Sequence, residues 1–537
     1  MYNTFNSVHL LILSFSLVIS YLFLINLNPE KPMAKCGLIF VSNAAKVHNI
    51  CQKASKYIQK SLYINLKHDN INLLPIISSQ VVELYSKATT HCNNLDVRLM
   101  LKLRNPGMPI NTKHAIDIVL YDSDLSHEID DLKKSVKNLS SEYEILSLDL
   151  KDVSEQNINV DAIKTYEYVA LGGTFDRLHN GHKILLSQAV LRATKHVTVG
   201  VTDVNMIQSK KLFELIEPVE QRMEAVLDFL MDINPDLEYN VFPLQDLYGP
   251  TKDDPKLQLI VVSEETKRGA IKINEKRREN GLPPMDTHII SLAEDTHPSR
   301  SEEEEAKVSS SNQRMRLLGT LLKPPVPNPN IPDWPYVIGL AGGIASGKSN
   351  IAEKLKNKGA GLVNCDLIAH DLYKPGLPLN KTLSKEFGEH IVTETGEINR
   401  RLLGSIVFSD KDQLEKLNRI VWPEVIKEAQ RQISELGKKG HKVVVMEAAV
   451  MVRAKWYMYC HQLWSVIIPP EEAVKRLMKR NNLSEEEARQ RIGAQPANLE
   501  QVAPANMVFS PYWSYEYTQG QIDKAWDHLQ EYLKTRY

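Results

Sequence analysis

The stretch GLAGGIASGKSNIAEKL, residues 339–355, constrains the fold more than any other part of the chain. An apolar run precedes its glycine-rich turn and a helical pattern follows it. Glycines lack Cβ atoms, so successive backbone N–H groups can converge on one point, and the helix start adds the positive end of its dipole. The turn satisfies G-x-x-x-x-G-K-[ST] from Gly342 through Gly343, Ile344, Ala345, Ser346 and Gly347 to Lys348 and Ser349. In such a turn the lysine reaches the β and γ phosphates of a nucleoside triphosphate and the hydroxyl ligates Mg²⁺. Strand and helix signals keep alternating to the carboxyl terminus, which predicts a parallel sheet with crossover helices.

The same physics occurs once more, in GGTFDRLHNGH, residues 172–182, directly after the apolar run YVAL. Gly172 and Gly173 open the backbone, Thr174 and Phe175 continue the turn, and His179 and His182 flank the point where a helix begins. Bare histidines three apart suit metal ligation or a surface equally well; beside a glycine turn they can donate to a phosphate. Behind them HKILLSQAVLRATK places apolar residues at 185, 186, 189, 190 and 193, as on one helix face, and HVTVGVT reads as strand. That is a second βαβ unit.

A chain of 537 residues is too long for one core, and about three units are expected. The proline-dense KPPVPNPNIPDWP, 323–335, reads as an extended linker. The predicted organisation is an apolar segment at 1–34, a small α/β domain at 35–157, the glycine–histidine domain at 158–322, the linker, and the domain of the G-K-S turn at 336–537. In the small domain LDVRLMLKLR and AIDIVLYDS read as strands and SSQVVELYSKATTHC as helix, with no chemical signature. The acid run Glu302 to Glu305 reads as a solvated loop or helix start.

With 65 basic and 66 acidic side chains the chain has no overall field for a polyanion, which argues against a nucleic-acid partner. Five scattered cysteines argue for a reducing compartment and against a disulfide framework or a zinc site. Residues 8–27 carry no Asp, Glu, Lys or Arg, the length of a bilayer span. Two readings stand: a membrane anchor with the rest of the chain cytosolic, or an upstream extension that the mature protein lacks, with Met33 as an alternative start. Oligomeric state is not legible.

Within 336–537, the strand GLVNCD ends at Asp366, with His370 four residues on. A carboxylate at a strand's carboxyl end can orient and deprotonate an acceptor hydroxyl. Arg476 and Arg480 stand four apart, Arg491 and Gln495 follow, and Glu447 ends the strand VVVME. These arginines either close over transferring phosphate or form a solvated face.

GLAGGIASGKS, NCDLIAHDLYKPG, NRRLLGSIVF, WPEV and RQRIGAQ occur in the order seen in dephospho-coenzyme A kinases, which this part of the chain resembles. The resemblance implies Asp366 as general base, Asp366 and His370 beside the acceptor, and Arg480 and Arg491 as lid arginines. Two positions depart from the family pattern: Asn364 replaces the first aspartate of D-A-D, and Arg453 stands where an acid is expected. GGTFDRLHNGH together with VSSSNQR, 308–314, resembles nucleotidyltransferases of the phosphopantetheine adenylyltransferase and cytidylyltransferase type. That resemblance implies Gly173, Thr174 and Phe175 at the turn, Thr174 on the acceptor's phosphate, and His179 and His182 on the α-phosphate of ATP. It further implies Ser309, Ser310 and Arg314 on the β and γ phosphates, and Lys210 or Lys211 bridging the two substrates.

The two signatures on one chain resemble the bifunctional coenzyme A synthases. The implied class is α/β, with an HxGH Rossmann-like nucleotidyltransferase domain followed by a P-loop kinase domain. The implied substrates are ATP, 4′-phosphopantetheine and dephospho-CoA, with Mg²⁺ at both sites and attachment at the outer mitochondrial surface. The rival readings are an adenylyltransferase of another acceptor fused to a different small-molecule kinase, and a membrane-tethered scaffold with an inactive kinase half.

Overall fold

The computed structural model describes residues 33–42, 46–66, 74–92, 95–101, 109–150, 163–291, 293–297 and 300–536. The apolar stretch 8–27 lies outside them. No helix among the described residues is long and apolar enough to cross a membrane. Contacts gather the chain into two units. The first holds the described residues up to Met206 with Pro218–Ser299 and Ala306–Val308; the second holds Ile207–Glu217, Arg300–Glu305 and everything from Ser309. The glycine–histidine domain, expected to run unbroken from 158 to 322, is therefore divided between the units. The acid run lies in a turn of the second unit, and Glu304 is buried there beside Arg316.

The first unit contains two five-stranded sheets. β1 (Ala34–Val41), β2 (Ile58–Leu66), β3 (Asp96–Leu99), β4 (Ile116–Asp122) and β5 (Leu139–Leu148) lie in the order β3-β2-β1-β4-β5, every pair parallel. The small domain is thus a doubly wound parallel sheet, more regular than its sequence announced. Cys36 to Val41 of β1 are buried without interruption, as expected for a strand covered on both faces. Among the described residues, the stretch LDVRLMLKLR contributes the four residues of β3, and α1 (Leu74–His91) connects β2 to it.

The second sheet comprises β6 (Tyr166–Gly173), β7 (Ala193–Thr202), β8 (Glu238–Leu244), β9 (Leu259–Ser263) and β10 (Asp286–Ile290), ordered β10-β9-β6-β7-β8 and again parallel. Helix α2 (Asn180–Arg192) crosses from β6 to β7, and α3 (Val219–Ile233) from β7 to β8. The chain reverses its strand order between β6 and β9, the place where open α/β sheets form a ligand crevice. The glycine turn leaves β6 there.

Here the structure departs from the one-face helix expected after His182. Ten consecutive residues of α2, Lys183 to Arg192, are buried, so the helix is covered all round. Its apolar stripe packs with its own sheet in one core cluster that also includes Val81, Leu84 and Ala88 of α1. The opposite face carries Lys183 and Gln188, whose partners belong to the small domain. The same domain also grips α3. Asp232, 4% exposed, receives Arg98, the Tyr63 hydroxyl at 3.1 Å and the Lys113 N–H at 2.7 Å. A buried carboxylate with these three donors is satisfied; losing the cation leaves it in a poor solvent. Arg98→Ala is expected to cost about 3–5 kcal/mol, read as a lowered urea midpoint of the first unit.

The second unit contains β11 (Tyr336–Gly342), β12 (Gly361–Asn364), β13 (Val443–Glu447), β14 (Gln462–Val466) and β15 (Met507–Phe509), ordered β12-β13-β11-β14-β15, all parallel. β11 is central and buried at all seven residues. Helix α4 (Lys348–Asn357) leaves its glycine turn, and α5 (Pro470–Asn481) and α6 (Glu485–Gly493) form a helical pair.

Candidate active sites

In the first unit, the turn after β6 is strained as well as glycine-rich. Phe175 and Arg177 have φ of 50° and 47°, a region that costs non-glycine residues energy and persists only where the surroundings hold it. Two features hold it here. A Cβ on Gly173 would stand 3.1 Å from the Phe175 ring, so the ring occupies the space that glycine leaves. Arg222, 1% exposed, donates to the carbonyls of Thr174 at 2.7 Å and Thr202 at 2.9 Å, and the Thr202 hydroxyl donates to Thr174 Oγ1 at 3.2 Å. Arg222 carries no motif signature, and sequence reasoning passed it over.

His179 is the N-cap of α2 and His182 its third residue. Their rings stack with centroids 3.7 Å apart and planes at 18°, and the Phe175 ring lies 5.2 Å from that of His182. A long contact of 3.5 Å runs from His179 N–H to His182 Nδ1, which favours the tautomer with its proton on Nε2. The structure therefore brings Gly173, Thr174, Phe175, His179 and His182 together at the amino end of one helix, where the dipole favours an anion.

The remaining predicted residues of this chemistry belong to the second unit. Ser309 caps a helix over Ser310–Leu317, accepting from Asn312 N at 3.2 Å. Arg314, 1% exposed, donates from Nε to the Lys211 carbonyl at 2.9 Å. Of the lysine doublet, Lys211 is the one packed inward: its Nζ is 3.8 Å from Met315 Sδ and 5.9 Å from the centre of the Trp513 ring, whereas Lys210 is exposed.

The second glycine turn follows β11. Ala345 and Gly347 have φ of 61° and 91°, and a Cβ on Gly347 would meet Pro511 at 2.8 Å, so the position requires glycine on two counts. Lys348 Nζ is 2.7 Å and Ser349 Oγ 2.6 Å from the same oxygen, Glu447 Oε1. Glu447, 2% exposed, also accepts from Asn364 Nδ2 at 3.2 Å through its other oxygen. The Glu447 carboxylate is thus the hub of the site, a role its sequence position at a strand end left undecided. Its signal was burial, which the apolar run VVVME only hinted at.

Two expectations change. β12 ends at Asn364, not Asp366; Asn364 is the N-cap of the helix Cys365–Leu372, accepting from Leu367 N at 3.0 Å, and Asp366 stands exposed in that helix's first turn. His370, also exposed, has Arg400 Nη1 2.8 Å from its Nδ1. Arg480 and Arg491 are exposed, and Arg480 donates to Asn481 Oδ1 at 2.8 Å rather than facing the turn. The arginine beside the turn is Arg476, with Nη1 3.9 Å from a Cβ built on Gly347 and Nη2 donating to the Pro511 carbonyl at 2.8 Å. Two residues beyond the helical pair, Gln495 Oε1 accepts from the Ile344 N–H of the turn at 2.6 Å. Arg453 is exposed.

Residues 336–511 match the family model described as dephospho-CoA kinase, and residues 170–316 match the one described as cytidylyltransferase-like. A dephospho-CoA kinase of Carboxydothermus hydrogenoformans is 41% identical over 186 residues, 35% of this chain and 90% of that protein. The chain belongs to the dephospho-CoA kinase family. Ahead of the kinase domain it carries a stretch similar to the phosphopantetheine adenylyltransferase of Saccharomyces cerevisiae, 37% identical over 159 residues, 30% of this chain and about half, 51%, of that protein. A solved dephospho-CoA kinase from Campylobacter jejuni aligns with 25% identity and a TM-score of 0.29, over 37% of this chain and 98% of its own.

Glu447→Gln in the kinase domain keeps the volume and removes the charge that holds Lys348 and Ser349. Phosphoryl transfer is expected to fall about 10- to 100-fold, measured as ADP release, with adenylyl transfer by the same preparation unchanged.

Proposed function

We propose that the chain carries out the last two steps of coenzyme A synthesis: adenylyl transfer from ATP to 4′-phosphopantetheine, then phosphorylation of the product dephospho-CoA. The observation that carries this reading is a pair of glycine turns, each leaving the central strand of its own parallel sheet, in stretches matched to two successive enzymes.

In the first reaction a phosphate oxygen of 4′-phosphopantetheine attacks the α-phosphorus of ATP, and the bond to pyrophosphate breaks. No side chain becomes a nucleophile. The chain has to align two anions that repel each other, a task in which orientation is worth about 7–11 kcal/mol. His179 and His182, at the start of α2, supply donors where charge grows on the α-phosphate, and Thr174 supplies a hydroxyl to the acceptor's phosphate.

In the second reaction the ribose 3′-hydroxyl of dephospho-CoA attacks the γ-phosphorus of a second ATP and ADP leaves. Asp366, solvent-accessible in the first turn of its helix, takes the hydroxyl proton. The N–H groups of the turn and Lys348 hold the β and γ phosphates. Ser349 Oγ and the Glu447 carboxylate are hard oxygen donors beside one another and suit Mg²⁺. When bound there, the ion would neutralise charge on the transferring phosphate. Among the described residues no group of three or more His, Cys, Asp or Glu offers a metal site of its own, which fits an ion held largely by nucleotide.

The scaffold reading rests on Asn364 and Arg453. Against it, Lys348, Ser349 and Glu447 form a complete cluster, and Asn364 completes its hydrogen bonding.

Incubating the full chain with 4′-phosphopantetheine, ATP and Mg²⁺ is expected to yield dephospho-CoA and then CoA by mass. His182→Ala should lower adenylyl transfer about 10²–10³-fold and spare the kinase step; Asp366→Asn should lower the kinase step about 10²–10⁴-fold and let dephospho-CoA accumulate. Absence of both products from the unaltered chain would refute the reading. As to location, residues 8–27 would tether the enzyme to a membrane, the outer mitochondrial surface being the one the resemblance implies. A fluorescent fusion of residues 1–34 that stays diffuse would remove that tether.

A further inference from the structure

The small domain at the amino end, β1 to β5 with α1, has no chemical signature in its sequence, and both family matches begin after it. Its contacts with the glycine–histidine domain fall on α3, through Asp232, and on the helix whose first turn carries His179 and His182. Asn180, between the two histidines, donates from Nδ2 to Thr89 Oγ1 at 2.9 Å, and Thr89 in turn donates to the Tyr85 carbonyl within α1. Lys183, the residue after His182, is 3% exposed and donates to Asp96 Oδ1 at 2.6 Å and to the Val97 carbonyl at 3.0 Å, both in β3. One turn later, Gln188 donates to the Ser78 carbonyl and accepts from the Ser78 hydroxyl, each at 2.7 Å.

A lysine ammonium so deeply buried needs a fixed partner. Burial pulls the Lys183 ammonium below the usual lysine range, and the Asp96 carboxylate opposes this. Burial likewise pushes Asp96 up, but Lys183 and Arg98 outweigh it and hold the carboxyl at about 2. Arg98 reaches both Asp96 and Asp232 of α3, so a continuous chain of charge runs from the helix of the histidines through β3 to the neighbouring helix.

We propose that the amino-terminal domain is the positioning device of the adenylyl-transfer site: through Thr89 and Asp96 it fixes Asn180 and Lys183, and thereby sets where His179 and His182 stand. Thr89, Asp96 and Lys183 are positioning residues; they act through the helix and not on substrate. Thr89 and Asp96 come from separate elements of one domain, so they pin the first turn of α2 at two points on either side of His182. A helix start pinned in this way keeps its donors aimed within the tolerance that nucleotidyl transfer demands, since a misplacement of about 1 Å can cost 10²-fold in rate.

The inference rests on the adenylyl-transfer reading above. It is tested in the full chain with Lys183→Met, which conserves volume and leaves Asp96 paired with Arg98, and with Thr89→Val, which removes one hydroxyl. The expected result is a fall in the turnover number of adenylyl transfer, about 10- to 100-fold for Lys183→Met and smaller for Thr89→Val, with KM for ATP nearly unchanged. Phosphorylation of added dephospho-CoA by the same protein, whose site lies in the second unit, should match the unaltered chain, and the unchanged KM for ATP in adenylyl transfer separates positioning from misfolding of the first unit. If Lys183→Met loses both reactions, Thr89→Val decides: a lowered turnover number supports the inference and an unaltered one overturns it. Adenylyl transfer at full turnover in both variants, or a rise in KM alone, would overturn it while leaving the assigned reactions intact.

Discussion

A parallel strand can follow its neighbour only by a crossover, and the crossover in this chain is a helix wherever chemistry is expected. Strand carboxyl ends and helix amino ends therefore meet along one rim of each sheet. At that rim the free N–H groups of a helix start lie beside the last residues of a strand, and glycine in the connecting turn lets an anion approach them. Both candidate sites follow from this constraint. In each, the turn leaves the first and central strand of its sheet, β6 or β11, and leads directly into the helix that supplies the donors. What differs is the set of side chains around the turn: stacked histidines at one, a lysine and serine on a buried glutamate at the other.

Turns that gather N–H groups are strained, and strain must be held from outside. Around Phe175 and Arg177 the support comes from Arg222, whose guanidinium bonds two carbonyls from within the core. Around Gly347 it comes from the packing of Pro511 and from Arg476, which ties the Pro511 carbonyl to α5. In both cases a buried or half-buried arginine braces backbone carbonyls; its five donors in a rigid fork suit it to that work where a lysine would not.

The sequence disclosed elements whose cause is local. The turns were legible because glycine, histidine and lysine at fixed spacing have few other uses; β6 and β11 because apolar runs, YVAL and YVIGLA, lead into those turns. Elements whose cause is distant were not. Helix α2 read as amphipathic since its polar residues, Lys183 and Gln188, find partners about ninety and a hundred and ten residues earlier in the chain. Glu447 stayed undecided between a place near the metal and a plain strand end, since nothing nearby in sequence shows that Lys348 and Ser349 converge on it. Arg476 could not be told from Arg480 by spacing, since both lie on α5 and only the packing of Pro511 brings one of them to the turn.

Asn364 illustrates how a departure from a family pattern is settled by its surroundings. An aspartate there would set a second carboxylate about 3 Å from Glu447, and like charges that close drive one of the pair to hold a proton. A protonated Glu447 would hold Lys348 and Ser349 less firmly. The amide instead donates an N–H to Glu447 Oε2 and still accepts the Leu367 N–H that caps its helix, so both of its functional atoms are used. Asp366, on the exposed side of the same helix turn, remains available to the acceptor. The exchange of aspartate for asparagine thus avoids a second carboxylate beside Glu447 and leaves Asp366 in place.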